Sequence, residues 1–196
     1  MKSVFFGETL FSKEMLLTLL ENGFDVRAVI SCPKKQIDDC ENLNFTDLPY
    51  KQIEDINQEA EWIKQFEPEV IYCLGFRQIL KKEILDICPV VGYHPAPLPK
   101  MRGHHPIIWA LILKLKKTAS TFYLMDEGID SGDILSQEEV EIQEGDTVKS
   151  LYERIIAIAK IQVLNLDLDK RTPQDHTQVT YLRKRVKGKE KEWLEY

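Results

Sequence analysis

The opening segment of the chain constrains its fold more than any later stretch. Lys2-Ser3-Val4-Phe5-Phe6-Gly7 is a short β-rich run ending in glycine. Ser12 to Leu20 then carries apolar residues at helical spacing, with Ser12 as the candidate N-cap. Asn22-Gly23 stops that helix, and Phe24 to Ser31 alternates as a second β segment. A strand, a helix and a strand in immediate succession imply a crossover connection, and a crossover implies a parallel sheet.

The alternation continues. Between Pro33 and Pro49 the chain is polar and aperiodic, which predicts a surface connection. Asp55 to Phe66 reads as a helix closed by Pro68, and Val70 to Leu74 as a buried strand followed at once by Gly75. Ile79 to Ile87 reads as an amphipathic helix, Val90 to His94 as a strand, and Pro106 to Lys116 as a helix. Strands are expected at Thr118 to Met125 and Ile134 to Ile142, with a tight connection at Gly128 to Gly132 between them. A long helix, Thr147 to Leu166, is capped by Asp146 or Thr147. The predicted class is α/β: a Rossmann-like, mostly parallel sheet with helices on both faces. A chain of 196 residues holds one sizeable core, so residues 1–172 are expected to form one domain and 173–196 a basic C-terminal tail or truncated linker.

Charge and cysteine usage narrow the function. The formal net charge of -6 gives no bulk attraction to a polyanion, so nucleic acid is not an expected partner. A local basic cluster does occur at Arg183, Lys184, Arg185, Lys187, Lys189 and Lys191. The four cysteines, Cys32, Cys40, Cys73 and Cys88, form no C-x-x-C pair and have no histidine at zinc spacing, so no metal is expected. Without a signal peptide the thiols read as reduced and the protein as cytoplasmic. Charged residues interrupt every apolar run before the roughly 18 residues that a membrane span needs. A small molecule is the expected partner, and a homodimer is left open.

In open α/β sheets ligands bind beyond the carboxyl ends of the parallel strands. Three loops are so placed: Gly7 to Ser12, Gly75 to Leu80, and His94 to Gly103. His94 leads into Pro95-Ala96-Pro97-Leu98-Pro99, whose prolines stiffen the backbone and would hold the imidazole in place. Taken alone, such a histidine reads as one satisfied by a local hydrogen bond in a rigid turn. Its companions change that reading. Asp126, Glu127 and Asp130 form an acidic, glycine-containing loop that lacks the carboxylate spacing of a calcium site. A carboxylate from it paired with His94 could orient the imidazole and stabilise its protonated form, which is useful where an amine must lose a proton. No G-x-G-x-x-G follows the first strand, which weakens a dinucleotide-binding reading.

The run from Gly92-Tyr93-His94-Pro95 through Arg102-Gly103-His104-His105-Pro106 to Trp109-Ala110, then Thr118-Ala119-Ser120-Thr121, then Asp126-Glu127-Gly128-Ile129-Asp130-Ser131-Gly132, appears in order with matching spacing. It resembles the catalytic core of the folate-dependent formyltransferases, which act on methionyl-tRNA, glycinamide ribonucleotide or amino sugars. The similarity extends from Phe6-Gly7-Glu8 to Thr180-Tyr181-Leu182-Arg183-Lys184-Arg185. It implies a formyltransferase catalytic domain over residues 1–172, with 10-formyltetrahydrofolate as co-substrate and a primary amine attacking the formyl carbon. The family's His and Asp fall on His94 and Asp130, implied to stabilise the oxyanion and relay the amine proton. Its folate-binding positions fall on Phe76, Arg77, Gln78, Ile79 and Leu80 and on Asp126, Glu127 and Gly128. Gly7, Glu8, Thr9 and Ser12, with Arg102, Gly103 and His104, are implied to face the amine substrate.

One departure stands out. The family carries an Asn two residues before the His, where this chain has Gly92. Losing an oxyanion donor typically costs about 2.7–4 kcal/mol of transition-state stabilisation. Two consequences follow: a replacement donor is sought at His104, His105 or Tyr93, and a folate-binding or regulatory protein with weak or no catalysis becomes the alternative reading. The tRNA-modifying members carry a large further domain that does not follow Tyr196 here. The tail Gln174 to Gln178, with Thr180 to Arg185, is similar to the segment linking the two domains in the tRNA and sugar enzymes and resembles the glycinamide ribonucleotide enzymes less; with His104 to Trp109 closer to sugar-modifying members, the expected amine is a nucleotide-linked amino sugar.

Overall fold

The computed structural model describes residues 1–32, 41–44 and 46–184. Its centre is a seven-stranded sheet built from β1 (Lys2–Phe6), β2 (Asp25–Ser31), β3 (Tyr50–Gln52), β4 (Val70–Cys73), β5 (Val90–His94), β7 (Lys117–Leu124) and β8 (Ile134–Glu141). The order is β3-β2-β1-β4-β5-β7-β8. The first five are parallel, and β7 and β8 are antiparallel additions at one side. The expected mostly parallel α/β sheet is therefore present. The remaining two strands, β6 (Arg102–Gly103) and β9 (Tyr181–Leu182), form a separate parallel pair.

Helices α1 (Leu10–Glu21) and α5 (Val148–Leu164) pack together on one face, over Phe5, Tyr72, Val91, Phe122 and Leu124. The opposite face carries Val4, Phe6, Ile71, Cys73 and Val90 beneath the shorter α2 (Ala60–Lys64) and α3 (Lys82–Leu85). Strand alternation puts Val90, Gly92 and His94 on this second, more lightly covered face.

Several boundaries differ from expectation. The N-cap of α1 is Thr9, with Ser12 at the third helical position completing a capping box, so the helix starts a turn earlier than Ser12 suggested. Asp55 to Phe66 is not one helix: Ile56–Gln58 forms a 3-10 turn and only Ala60–Lys64 is α-helical. Ile79 to Ile87 shrinks to Lys82–Leu85, because the chain before Lys81 is an extended loop and Ile79 is 72% exposed. The helix α4 (Pro106–Ile112) ends before Lys116, with Leu113 as C-cap and Lys114 at φ 50°. The cap of α5 is Thr147. Within the polar stretch from Pro33 to Pro49, Leu43 is fully buried, so the connection is pinned to the core. Residues 33–40 of that stretch, with Cys40, residue 45, and the basic residues Arg185, Lys187, Lys189 and Lys191 lie outside the described residues.

Candidate active site

His94 ends β5 and is 4% exposed. Its Nε2 lies 2.7 Å from the main-chain oxygen of Met101. A carbonyl only accepts, so Nε2 carries the hydrogen and donates it. Nδ1 is left as the ring position where a proton can be gained or lost. It faces Asp130 Oδ2 at 3.5 Å. This fixes the ring's hydrogen arrangement and aims Nδ1 at a carboxylate. The carbonyl is itself held in place: Met101 has a left-handed backbone (φ 60°), and its N–H donates to Thr180 Oγ1 at 2.8 Å.

Asp130 reaches His94 by an indirect route. β7 runs antiparallel to β5, so the loop after Leu124 leaves from the end of β5 opposite His94 and folds back across the sheet. Asp130 is in the left-handed region (φ 49°), an uncommon conformation for a non-glycine residue. Its carboxylate is anchored at both oxygens: the Gly103 N–H donates to Oδ2 at 2.8 Å and the Tyr123 hydroxyl to Oδ1 at 2.8 Å. Its main-chain oxygen accepts from Gln174 Nε2 at 2.9 Å. The same amide donates to Gly132 O at 2.7 Å, while Gln174 Oε1 accepts from the buried Arg102 guanidinium. Burial, followed by the charge of Asp130, pushes the Tyr123 phenol well above its ordinary range, so it stays protonated and remains a donor.

The tail contributes directly to this arrangement. β9 pairs with β6, and a Cβ on Gly103 would stand 2.6 Å from the Leu182 carbonyl oxygen. Together with a φ of +100°, that close approach makes residue 103 a position for glycine alone.

The loop residues read from the sequence are brought together only in part. The loop 75–80 leaves the C-terminal end of β4, and Lys82 just beyond it pairs with Glu127 of the acidic loop at 3.4 Å, which brings the two segments alongside one another. Phe76 packs near Phe6, with ring centres 5.7 Å apart. Ile79 is exposed and Leu80 is buried. The Gln78 side chain is used within the fold, accepting from Ile56 N at 2.8 Å and donating to Glu54 O at 3.0 Å. Asp126 Oδ1 accepts from Gly128 N at 3.0 Å and from Ser131 Oγ at 2.5 Å, which shapes the acidic turn.

In the loop after β1, Gly7 lies against Ser12, and the Thr9 and Ser12 hydroxyls are buried. Ser12 Oγ donates to Leu74 O at 2.6 Å and accepts from the main-chain N–H groups of Glu8 and Thr9. The Ser12 hydroxyl ties α1 to the end of β4. Glu8 is 6% exposed, its Oε1 has no hydrogen bond, and Arg77 Nε lies 3.8 Å away. The Arg102 guanidinium is turned inward to Gln174, and His104 is exposed. Among the described residues, neither His104 nor Tyr93 hydrogen-bonds Asp130. Tyr93 projects to the opposite face, stacked on Phe11 with its hydroxyl 2.9 Å from Ser120 Oγ. Tyr123, Met101 and Gln174 were not among the candidate residues. Their roles depend on strand register and on the tail's return, which no local motif reveals.

Among the described residues, no three metal-ligating side chains converge and no helix is long and apolar enough to cross a membrane.

Comparison with known proteins places this chain in a family. The family model described as formyl transferase matches residues 1–165. The chain is 33% identical over 171 residues to the methionyl-tRNA formyltransferase of Caldanaerobacter subterraneus, covering 79% of this chain and 55% of that one. It is 32% identical over 206 residues to the methionyl-tRNA formyltransferase of Kosmotoga olearia, covering 95% and 66%. The chain thus spans between about half and two thirds of the length of these relatives. A solved N-formyltransferase from Helicobacter canadensis, in complex with folinic acid and dTDP-3-aminofucose, matches with a TM-score of 0.71 at 20% identity, over 93% of this chain and 70% of that one. The match to the family model over most of the length, with a 32% identical relative along nearly all of it, means that this chain belongs to the formyl transferase family.

Proposed function

We propose that the chain transfers a formyl group from 10-formyltetrahydrofolate to a primary amine, with His94 and Asp130 as the catalytic pair. The observation that carries the reading is the arrangement of His94: Nε2 tied to the Met101 carbonyl, and Nδ1 turned to an anchored carboxylate. In this reading Nδ1 takes up the proton shed by the attacking amine, and Asp130 stabilises the resulting imidazolium. The Nε2–H tether keeps the ring from turning away during the transfer. The folate would lie between loop 75–80 and the acidic loop 126–130, which the Lys82–Glu127 pair brings alongside one another. The acceptor would approach along the loop from Gly7 to Ser12, beside Glu8.

For the acceptor we favour a nucleotide-linked amino sugar. Supporting this are the net charge of -6, which gives no general attraction to a nucleic acid, and the likeness of fold to an N-formyltransferase solved with dTDP-3-aminofucose. Gly92 supports a second reading, a folate-binding protein with little catalysis, because no side chain projects from that position. Incubation with 10-formyltetrahydrofolate and a panel of amino-sugar nucleotides, glycinamide ribonucleotide and methionyl-tRNA separates these. Tetrahydrofolate release with a single acceptor supports transfer and names the amine. Folate binding with no release from any acceptor supports the second reading.

A further inference from the structure

We propose that Tyr123 is the positioning residue of this site, holding Asp130 against His94, and that Gly92 is glycine to admit the Tyr123 ring. The proposal rests on the formyl-transfer reading above and names a residue beyond its catalytic pair.

Gly92 and Tyr123 are direct partners across the antiparallel β5–β7 pair, as are His94 and Thr121. Partners in register project to the same face, so the Tyr123 ring stands beside His94 over the bare backbone of Gly92. A Cβ built at residue 92 would lie 2.9 Å from Tyr123 Cζ and 2.7 Å from Met125 Cγ, closer than real Cβ contacts come. Both neighbours are confined, since Tyr123 is 4% exposed and Met125 packs against the core of this face. Residue 92 has no positive φ that would demand glycine, so the requirement here is for space. The cleared space brings the Tyr123 hydroxyl to 2.8 Å from Asp130 Oδ1. Oδ2, the oxygen that faces His94 Nδ1, is held by the Gly103 N–H, so the tyrosine fixes the carboxylate's second oxygen and with it the rotation of the group. That constraint matters because the Asp130 backbone occupies a sparsely populated conformation and relies on its surroundings to stay there. Desolvation keeps the phenol neutral, so the donor persists over the range in which an amine can react.

Tyr123→Phe keeps the ring and removes only the hydroxyl. With 10-formyltetrahydrofolate and the best acceptor, kcat is expected to fall about 10- to 100-fold, the size associated with a hydrogen bond to a charged group. KM for both substrates should stay within about twofold, because the residue orients Asp130 and does not bind substrate. Gly92→Ala, which pushes the ring aside, should lower kcat by a similar factor. The double variant should be no slower than the worse single one, since both break the same contact. Circular dichroism confirms that each variant is folded. An active wild type with an unimpaired Tyr123→Phe overturns the proposal, as does a rise in KM at constant kcat or a multiplicative double variant. A wild type that turns over no acceptor overturns the transfer reading and the proposal with it, and is recognised before any variant is made.

Discussion

The Arg102 guanidinium donates two hydrogen bonds to the Gln174 side-chain oxygen, at 2.6 and 3.2 Å, with both residues buried. Gln174 then passes its own two N–H donors to the carbonyls of Asp130 and Gly132. One side chain therefore links the segment after the second helix of the domain face, α5, to the loop that carries the candidate catalytic carboxylate.

Gln174→Leu should leave the buried guanidinium and two carbonyls without their partner. A loss of about 1.5–3 kcal/mol is expected for the charged hydrogen bonds, read as the shift in urea unfolding. Turnover should fall as well, since the Asp130 loop loses its brace. A variant of wild-type stability would show that water replaces these bonds.

Asp130→Asn keeps the shape of the residue and removes its charge. Turnover should fall by about 100-fold or more, the scale of a lost proton-transfer partner, while folate affinity remains within about twofold. Full transfer activity with unchanged folate binding would remove Asp130 from the chemistry.

Asp146, just before α5, accepts from the Arg154 guanidinium at 2.8 and 3.0 Å, from Ser150 Oγ at 2.7 Å and from Gln143 N at 2.8 Å. The Arg154 hydrogen bonds, then Ser150, hold its carboxyl well below the usual carboxylate range. A carboxyl lowered in the folded state adds stability above its unfolded value, near pH 4, and loses it as pH falls further. Asp146→Asn should therefore lower the thermal midpoint at pH 7, with the difference from wild type shrinking below about pH 4. A difference that is constant from pH 7 to pH 2 would contradict this.

Phe122 is fully buried on the face opposite His94, edge-on to Tyr93 at 4.8 Å between ring centres. Phe122→Ala should cost about 3–5 kcal/mol in chemical denaturation. A loss under about 1 kcal/mol would mean that the core collapses into the space.

The frame of the site was legible because its signals are local. The β-rich run to Gly7, the stop at Asn22-Gly23 and the strand ending at His94 each depend on neighbours in sequence, and each lies where the spacing predicts. Helix lengths were less legible. Ile79 carries an apolar side chain at helical spacing, but it belongs to an exposed loop, and periodicity cannot tell the two apart. The supports of the site were not legible at all. Tyr123 meets Asp130 through strand register, Met101 offers a main-chain oxygen that any residue could supply, and Gln174 acts from a tail that returns to β6. Such contacts arise from tertiary geometry. Gly92 was visible as a departure in the sequence, but its reason, a ring filling its side-chain space, required the partner strand.

The most direct test of the account is tetrahydrofolate formation from 10-formyltetrahydrofolate in the presence of an amine acceptor, comparing the wild-type chain with His94→Ala. The account predicts acceptor-dependent release by the wild type and a loss of about 100-fold or more in the folded variant. Equal release by both, in the presence of the acceptor that supports it, would contradict the central role given to His94.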